Sequence, residues 1–190
     1  MKNFTFRNLW IFFLSIWLLL NLLFSLILLR SFKTNLIFLI KDDLKRVSLN
    51  IIQDFNFWIK TKDDRNFNEK IKLLEKYTGF RTTIIKKDGK VIFDSSSNPE
   101  SMENHADRPE VIESIEKGEG FSIRKSPTLN QFFIYFALLS DNKEYIIRLS
   151  TNYEKYKEFT KYFKNLYLSN FLIFLLFSLF MIFLFLYIYF

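Results

Sequence analysis

The sequence predicts an α+β membrane protein: one antiparallel five-stranded sheet with a long N-terminal helix, held between two membrane-spanning helices. Three observations lead there. Two runs, Trp10 to Leu29 and Leu166 to Phe190, carry no charged residue. Between them an apolar stripe at helical spacing gives way, after Gly79, to runs of period two. Asp88-Gly89 then sits between two such runs as a hairpin signal.

At about 1.5 Å per residue, either uncharged run can cross a hydrocarbon layer of about 30 Å. The alternative is a buried core helix. A cleaved signal peptide fits the first run poorly. Its apolar stretch is long, and the chain's only alanines are Ala106 and Ala137, so no small-residue cleavage site follows. Lys2 and Arg7 favour a cytoplasmic N-terminus. Arg30, Lys33, Lys155, Lys157, Lys161 and Lys164 argue the other way, but a loop of this length is translocated largely regardless of charge. The expected layout is a cytoplasmic segment 1–9, a first span 10–29, an extracytoplasmic domain 30–165 and a second span 166–190, with the chain in the cell membrane.

The first helix is expected to run on to about Lys62. Leu36, Ile40, Leu44, Val47, Ile51, Phe55 and Trp58 follow one another in steps of four and three. That stripe fits a helix packed on its own domain, or a homodimer helix continuous with the span. A short helix over about Asn68 to Thr78 follows, ended by Gly79. "FRTTIIKKDGKVIFDSS" reads as strand, type I′ turn, strand. "FSIRKS", "QFFIYFALLS" and "EYIIRLST" read as three more strands. Phe132 to Leu139 is apolar on both faces and so belongs inside the sheet. From about Asn152 a helix leads into the second span. The order suggests one sheet with helices on one side.

The net charge of +7 does not indicate a nucleic-acid partner. The loop holds 25 of 27 basic and all 20 acidic residues, interleaved. The absence of cysteine excludes disulfides and thiolate metal sites.

His105 is the single histidine, within "MENHADRPE". Asp107 and Glu110 have the spacing of a capping box, with Pro109 in the first turn of a helix ended by Gly118. Both acids are therefore assigned structural, helix-capping roles. His105 and Arg108 are the candidate ligand-binding residues, because they precede a helix N-terminus able to hold an anion or a ligand carboxylate. The alternatives for His105 are a loop pin, hydrogen-bonded to backbone, and a metal ligand. No second histidine or cysteine supports a metal. No nucleophile–base pair marks a catalytic site, and no cofactor is indicated.

The stretch from about Arg81 to Leu139 resembles the extracytoplasmic sensor region of phosphate-regulon-type (PhoR-like) sensor histidine kinases. The resemblance lies in "DGKVIFDS", Met102 to His105, Arg108-Pro109-Glu110, the Gly118/Gly120 turn, Arg124, Ser126, Thr128-Leu129 and the strand beginning near Phe132. It implies a PAS-like or single-Cache fold, homodimerisation and signalling across the bilayer to a kinase. It does not imply phosphate as ligand. Such kinases continue past the second span, whereas this sequence stops at Phe190, so a truncated, interrupted or split gene product is expected, with no kinase activity of its own. The other readings are a stand-alone interaction protein that dimerises with an intact kinase, and the input module of a chemoreceptor or cyclase.

Overall fold

A computed structural model describes residues 2–61, 64–126 and 130–189. The elements run α1 (Lys2–Thr61), α2 (Asp64–Thr78), β1 (Arg81–Lys86), β2 (Val91–Asp94), a 3₁₀ turn (Pro99–Ser101), α3 (Pro109–Lys117), β3 (Glu119–Lys125), β4 (Phe132–Leu139), β5 (Tyr145–Asn152) and α4 (Tyr153–Tyr189). They fall into two compact units. Residues 1–36 and 157–190 form one, and residues 37–156 form the other.

In the first unit, α1 and α4 each contain a stretch long and apolar enough to cross a membrane. Their apolar windows are 0% and 6% buried within the chain, so neither is a core helix of the described fold. Aromatic contacts join the two helices: Trp10 with Phe185, Trp17 with Phe174, and Phe32 stacked on Phe163 at 4.0 Å between centroids. Asn21 turns its amide back to the Trp17 carbonyl of its own helix at 2.8 Å.

The second unit is built on an antiparallel sheet of order β2-β1-β5-β4-β3. Because side chains alternate along a strand, each strand serves two faces. One face is apolar. There α1 buries Ile40, Leu44, Ile51 and Phe55, and α2 buries Phe67 and Ile71. Phe55 meets Tyr145 of β5 edge-on at 5.0 Å, and Phe67 meets Phe93 of β2 at 5.3 Å. So the heptad-like stripe of α1 between Ile40 and Phe55 packs on its own domain. The other face carries α3, whose Val111 packs with Ile85, Val91, Ala137 and Ile146. Helices therefore cover both faces. The expected one-sided cover fails because β4 and β5 are buried on both sides and each apolar face needs a partner.

The hairpin turn also differs from expectation. Gly89 has φ of +87°, and Asp88 is not among the residues with positive φ. A type I′ turn needs positive φ at both centres. Here Gly89 N donates to Lys86 O at 2.8 Å and Lys86 N to Lys90 O at 2.8 Å, a three-residue loop closed by a left-handed glycine.

Candidate ligand-binding site

The α3 face of the sheet does not close completely. Beyond the apolar cluster it opens into a cavity of about 530 Å³, lined by Arg81, Arg108, Arg124 and Arg148, with His105 and Tyr135 among its other walls. The period of two places these groups. Arg81 and Thr83 on β1, Arg148 and Ser150 on β5, Phe133 and Tyr135 on β4, and Ser122 and Arg124 on β3 share one face, in register across β1-β5-β4-β3.

Glu110 is the inner counter-ion. It is fully buried. Its carboxylate accepts from Ser122 Oγ at 2.7 Å and from Arg124 Nη2 at 3.0 Å and Nε at 3.3 Å; Arg148 Nη1 lies 3.6 Å away. Burial alone would raise its pKa, but the hydrogen bonds from Arg124 and Ser122 outweigh it and hold the carboxyl below its ordinary value. Arg148 is nearly as buried, and desolvation lowers its guanidinium to about 10. Its Nη2 donates to Thr83 Oγ1 at 3.2 Å, while its Nε has no hydrogen-bond partner among the described residues. The Arg124 guanidinium lies 4.1 Å from the Tyr135 ring centroid. At the other end Arg81 is engaged, with Nε at 3.0 and 3.1 Å from the Asp94 carboxylate and Nη2 at 2.9 Å from Ser97 Oγ.

The two sequence-predicted ligand residues both line this cavity. Arg108 pairs with the exposed carboxylates of Glu103 and Asp107, each at 3.5 Å, and its buried Nε makes no hydrogen bond among the described residues. His105 is 6% exposed and its Nδ1 is unpartnered. Burial, then Arg148 and Arg108, hold its pKa down at about 4, so the imidazole is neutral at neutral pH. Its backbone is pinned: His105 N donates to Gly89 O at 2.9 Å. Asn104 completes the clamp, donating to Asp88 O at 2.9 Å and accepting from Ala106 N at 2.8 Å. A Cβ on Gly89 would collide with Asn104 and Ala106.

The capping roles are corrected. The N-cap of α3 is Arg108, with no side-chain cap bond. Asp107 lies in the preceding turn, 76% exposed at its side chain. Glu110 occupies the second helical position with its carboxylate turned inward to Arg124, Ser122 and Arg148. Arg124 offers the carboxylate two N–H groups in a fork and Ser122 adds a third donor, an arrangement that a single cap N–H cannot match.

The unpredicted members are Arg81, Arg124, Arg148 and Tyr135. A signal was present: Arg148 interrupts the apolar strand "YIIRLS", and an arginine inside a strand buried on both faces calls for a buried partner. No group of metal-ligating side chains is present among the described residues. Thr128 and Leu129 of the resemblance lie outside them.

A family model described as single Cache-like matches residues 60–152. Among curated proteins none matches the sequence. The fold is similar to the sensor domain of the V. cholerae histidine kinase DctB, with a TM-score of 0.54 and 16% identity, over 68% of this chain and 54% of that one. The chain thus spans about half the length of that sensor domain. It is also similar to a methyl-accepting chemotaxis protein from Vibrio parahaemolyticus, with a TM-score of 0.49 and 12% identity over 67% and 97% of the two chains. A third likeness is to the YkuI protein of Bacillus subtilis, which has an EAL domain, with a TM-score of 0.45 and 15% identity over 65% and 35%. Residues 60–152 have a single Cache-like fold.

Proposed function

We propose that the chain is the input module of a two-component sensor of the phosphate-regulon-type histidine-kinase kind. In this reading residues 30–165 lie outside the membrane, 10–29 and 166–190 span it, and 1–9 are cytoplasmic, with two copies forming a homodimer. The cavity takes a small anionic ligand, and the bound state is passed to the spans. The observation that carries this reading is a set of buried groups around one cavity with no hydrogen bond among the described residues: Arg148 Nε, His105 Nδ1 and Arg108 Nε, the last with only an ion pair to Asp107 at 3.5 Å. Each buried unsatisfied donor costs about 1–3 kcal/mol, which an anion would recover. The cavity also falls within the range of about 300–1,000 Å³ usual for small-molecule sites.

A contact chain supports the outward signal. The backbone of α3 rests on Gly120, where a Cβ would strike the Glu110 carbonyl. The next residue, Glu119, bonds Lys41 and Lys45 of α1 at 2.9 and 2.6 Å. A ligand that draws Arg148 or Arg108 away from its present geometry would therefore load the α3–β3 pair and, through it, α1.

The test is thermal unfolding of the full chain in lipid nanodiscs against a panel of small carboxylates and inorganic phosphate. One anion class should stabilise by about 2.7 kcal/mol at a hundredfold excess over its dissociation constant. Arg108→Gln should abolish that gain while leaving the ligand-free melting temperature nearly unchanged. A panel with no stabilising anion would sink the reading.

A further inference from the structure

The basic residues beside the spans run against the charge pattern expected of an outward-facing loop, and the ligand site does not use them. Arg30 directly follows the uncharged run of α1, with Lys33 one turn on. Lys157, Lys161 and Lys164 precede the uncharged run of α4, and Glu158 is the lone acid among them. All five bases are exposed. Among the described residues, Arg30, Lys33, Lys161 and Lys164 have no ion-pair partner.

Helix geometry gathers them on the outside of the two-helix unit. At about 100° per residue, Lys157, Lys161 and Lys164 fall within an arc of about 60°. Phe159 and Phe163 occupy the far side of the same helix. Those two rings pack on Phe32 of α1, at 5.9 and 4.0 Å between centroids. Arg30 and Lys33 are in turn rotated by about 100° or more from Phe32. So the aromatic rings fill the seam between the helices while the cations face away from it. The headgroup layer is about 5–8 Å deep on each side. Arg30, Lys33, Lys161 and Lys164 all lie within that rise of the ends of the uncharged runs, and lysine and arginine stems can snorkel.

We infer that these basic residues form a collar that binds anionic phospholipid headgroups at the outer surface of the membrane. The inference rests on the membrane reading of α1 and α4. The collar recognises a phosphodiester on a bilayer surface, since its charges are spread around two helices rather than converging on one point as a pocket for free phosphate would require.

The experiment reconstitutes the full chain into vesicles of phosphatidylcholine, with and without 30 mol% phosphatidylglycerol (about the level needed for a strongly negative surface). A carbonate wash and flotation report insertion. Spin-labelled phosphatidylglycerol and phosphatidylcholine then report which lipid the protein retains at its surface. The wild type should stay inserted in both vesicle types and prefer the labelled phosphatidylglycerol by about twofold or more. The variant Arg30→Gln, Lys33→Gln, Lys161→Gln, Lys164→Gln should insert equally and lose most of that preference. Lys157, Lys2 and Arg7, unchanged in it, set the remainder. Raising salt to about 0.5 M should weaken the wild-type preference without any substitution. Equal retention of both lipids by the inserted wild type, or an unchanged preference in the inserted variant, overturns the collar alone. A wild type stripped from the vesicles by carbonate overturns the membrane reading and the collar with it.

Discussion

The two faces of the sheet are built from the same five strands, yet they differ in kind. The α1/α2 face is mainly aliphatic and aromatic, with Leu44, Ile51, Phe55 and Ile71 fully buried and no charged side chain among its buried residues. On the α3 face, one residue further along each strand, stand Arg148, Thr83, Arg124 and Ser122. The first face gains stability from burial at about 25 cal/mol per Å² of apolar surface. The second has to desolvate two guanidinium groups against one carboxylate, a poor arrangement for stability and a suitable one for attracting an anion. An apolar face and a charged face are thus separated by a single step along each strand.

The comparison can be broken most forcefully at its two centres. Phe55→Ala should destabilise by about 3–5 kcal/mol through cavity formation, and any stabilisation by a bound anion should survive in it. Glu110→Ala should also destabilise by about 3–5 kcal/mol, since it leaves two buried arginines without their carboxylate, but it should alter or abolish the anion response. Denaturant titrations with and without the stabilising anion separate the two. An anion response lost in Phe55→Ala and intact in Glu110→Ala would show that the faces are not independent.

Acid should attack one face first. His105 is held at about 4 in the folded chain, against about 6.5 when unfolded. The unfolded chain therefore binds the extra proton between these values. The stability this supplies is complete above pH 6.5 and is lost as pH falls toward 4. Between pH 7 and 5 the loss should be about 1–2 kcal/mol. Glu110, also lowered, adds its own loss only below the ordinary carboxylate range. His105→Gln should flatten the curve between pH 7 and 5. A wild type equally stable at both pH values would refute the buried neutral imidazole.

The smallest effect belongs to Asp107. Exposed and uninvolved in capping, it should tolerate Asp107→Ala within about 0.5 kcal/mol. A loss of 1 kcal/mol or more in urea unfolding would restore the cap.

Elements with a strong period were legible in the sequence. The α1 stripe, the strand around Phe136 and the stop at Gly79 depend on local spacing, and the structure has them close to the expected bounds. The candidate residues His105 and Arg108 are visible in the sequence as neighbours of a helix start, and both line the cavity. Their cavity is not, because Arg81, Arg124 and Arg148 come from three different strands and are brought beside them by strand register rather than by local spacing. Glu110 was misassigned for the same reason. Its spacing from Asp107 is local and visible, whereas the arginines that claim it are distant in sequence. Spacing also could not show that the turn at Asp88-Gly89 has one left-handed residue instead of two.

The clamp between that turn and the His105 backbone has a consequence for chain entropy. Residues 95–108 connect β2 to α3 and form no sheet of their own. Held only at its ends, a connection of this length would sample many shapes, and a ligand would have to arrest them at the moment of binding. The bonds from His105 to Gly89 and from Asn104 to Asp88 close this loop locally, across sixteen positions, while the chain folds. The ordering cost of placing an imidazole at the cavity wall is thereby met by folding, and the site is rigid before any ligand arrives. A side chain introduced at Gly89, which never touches the cavity, would return that cost to the binding step and weaken affinity without removing a single ligand contact.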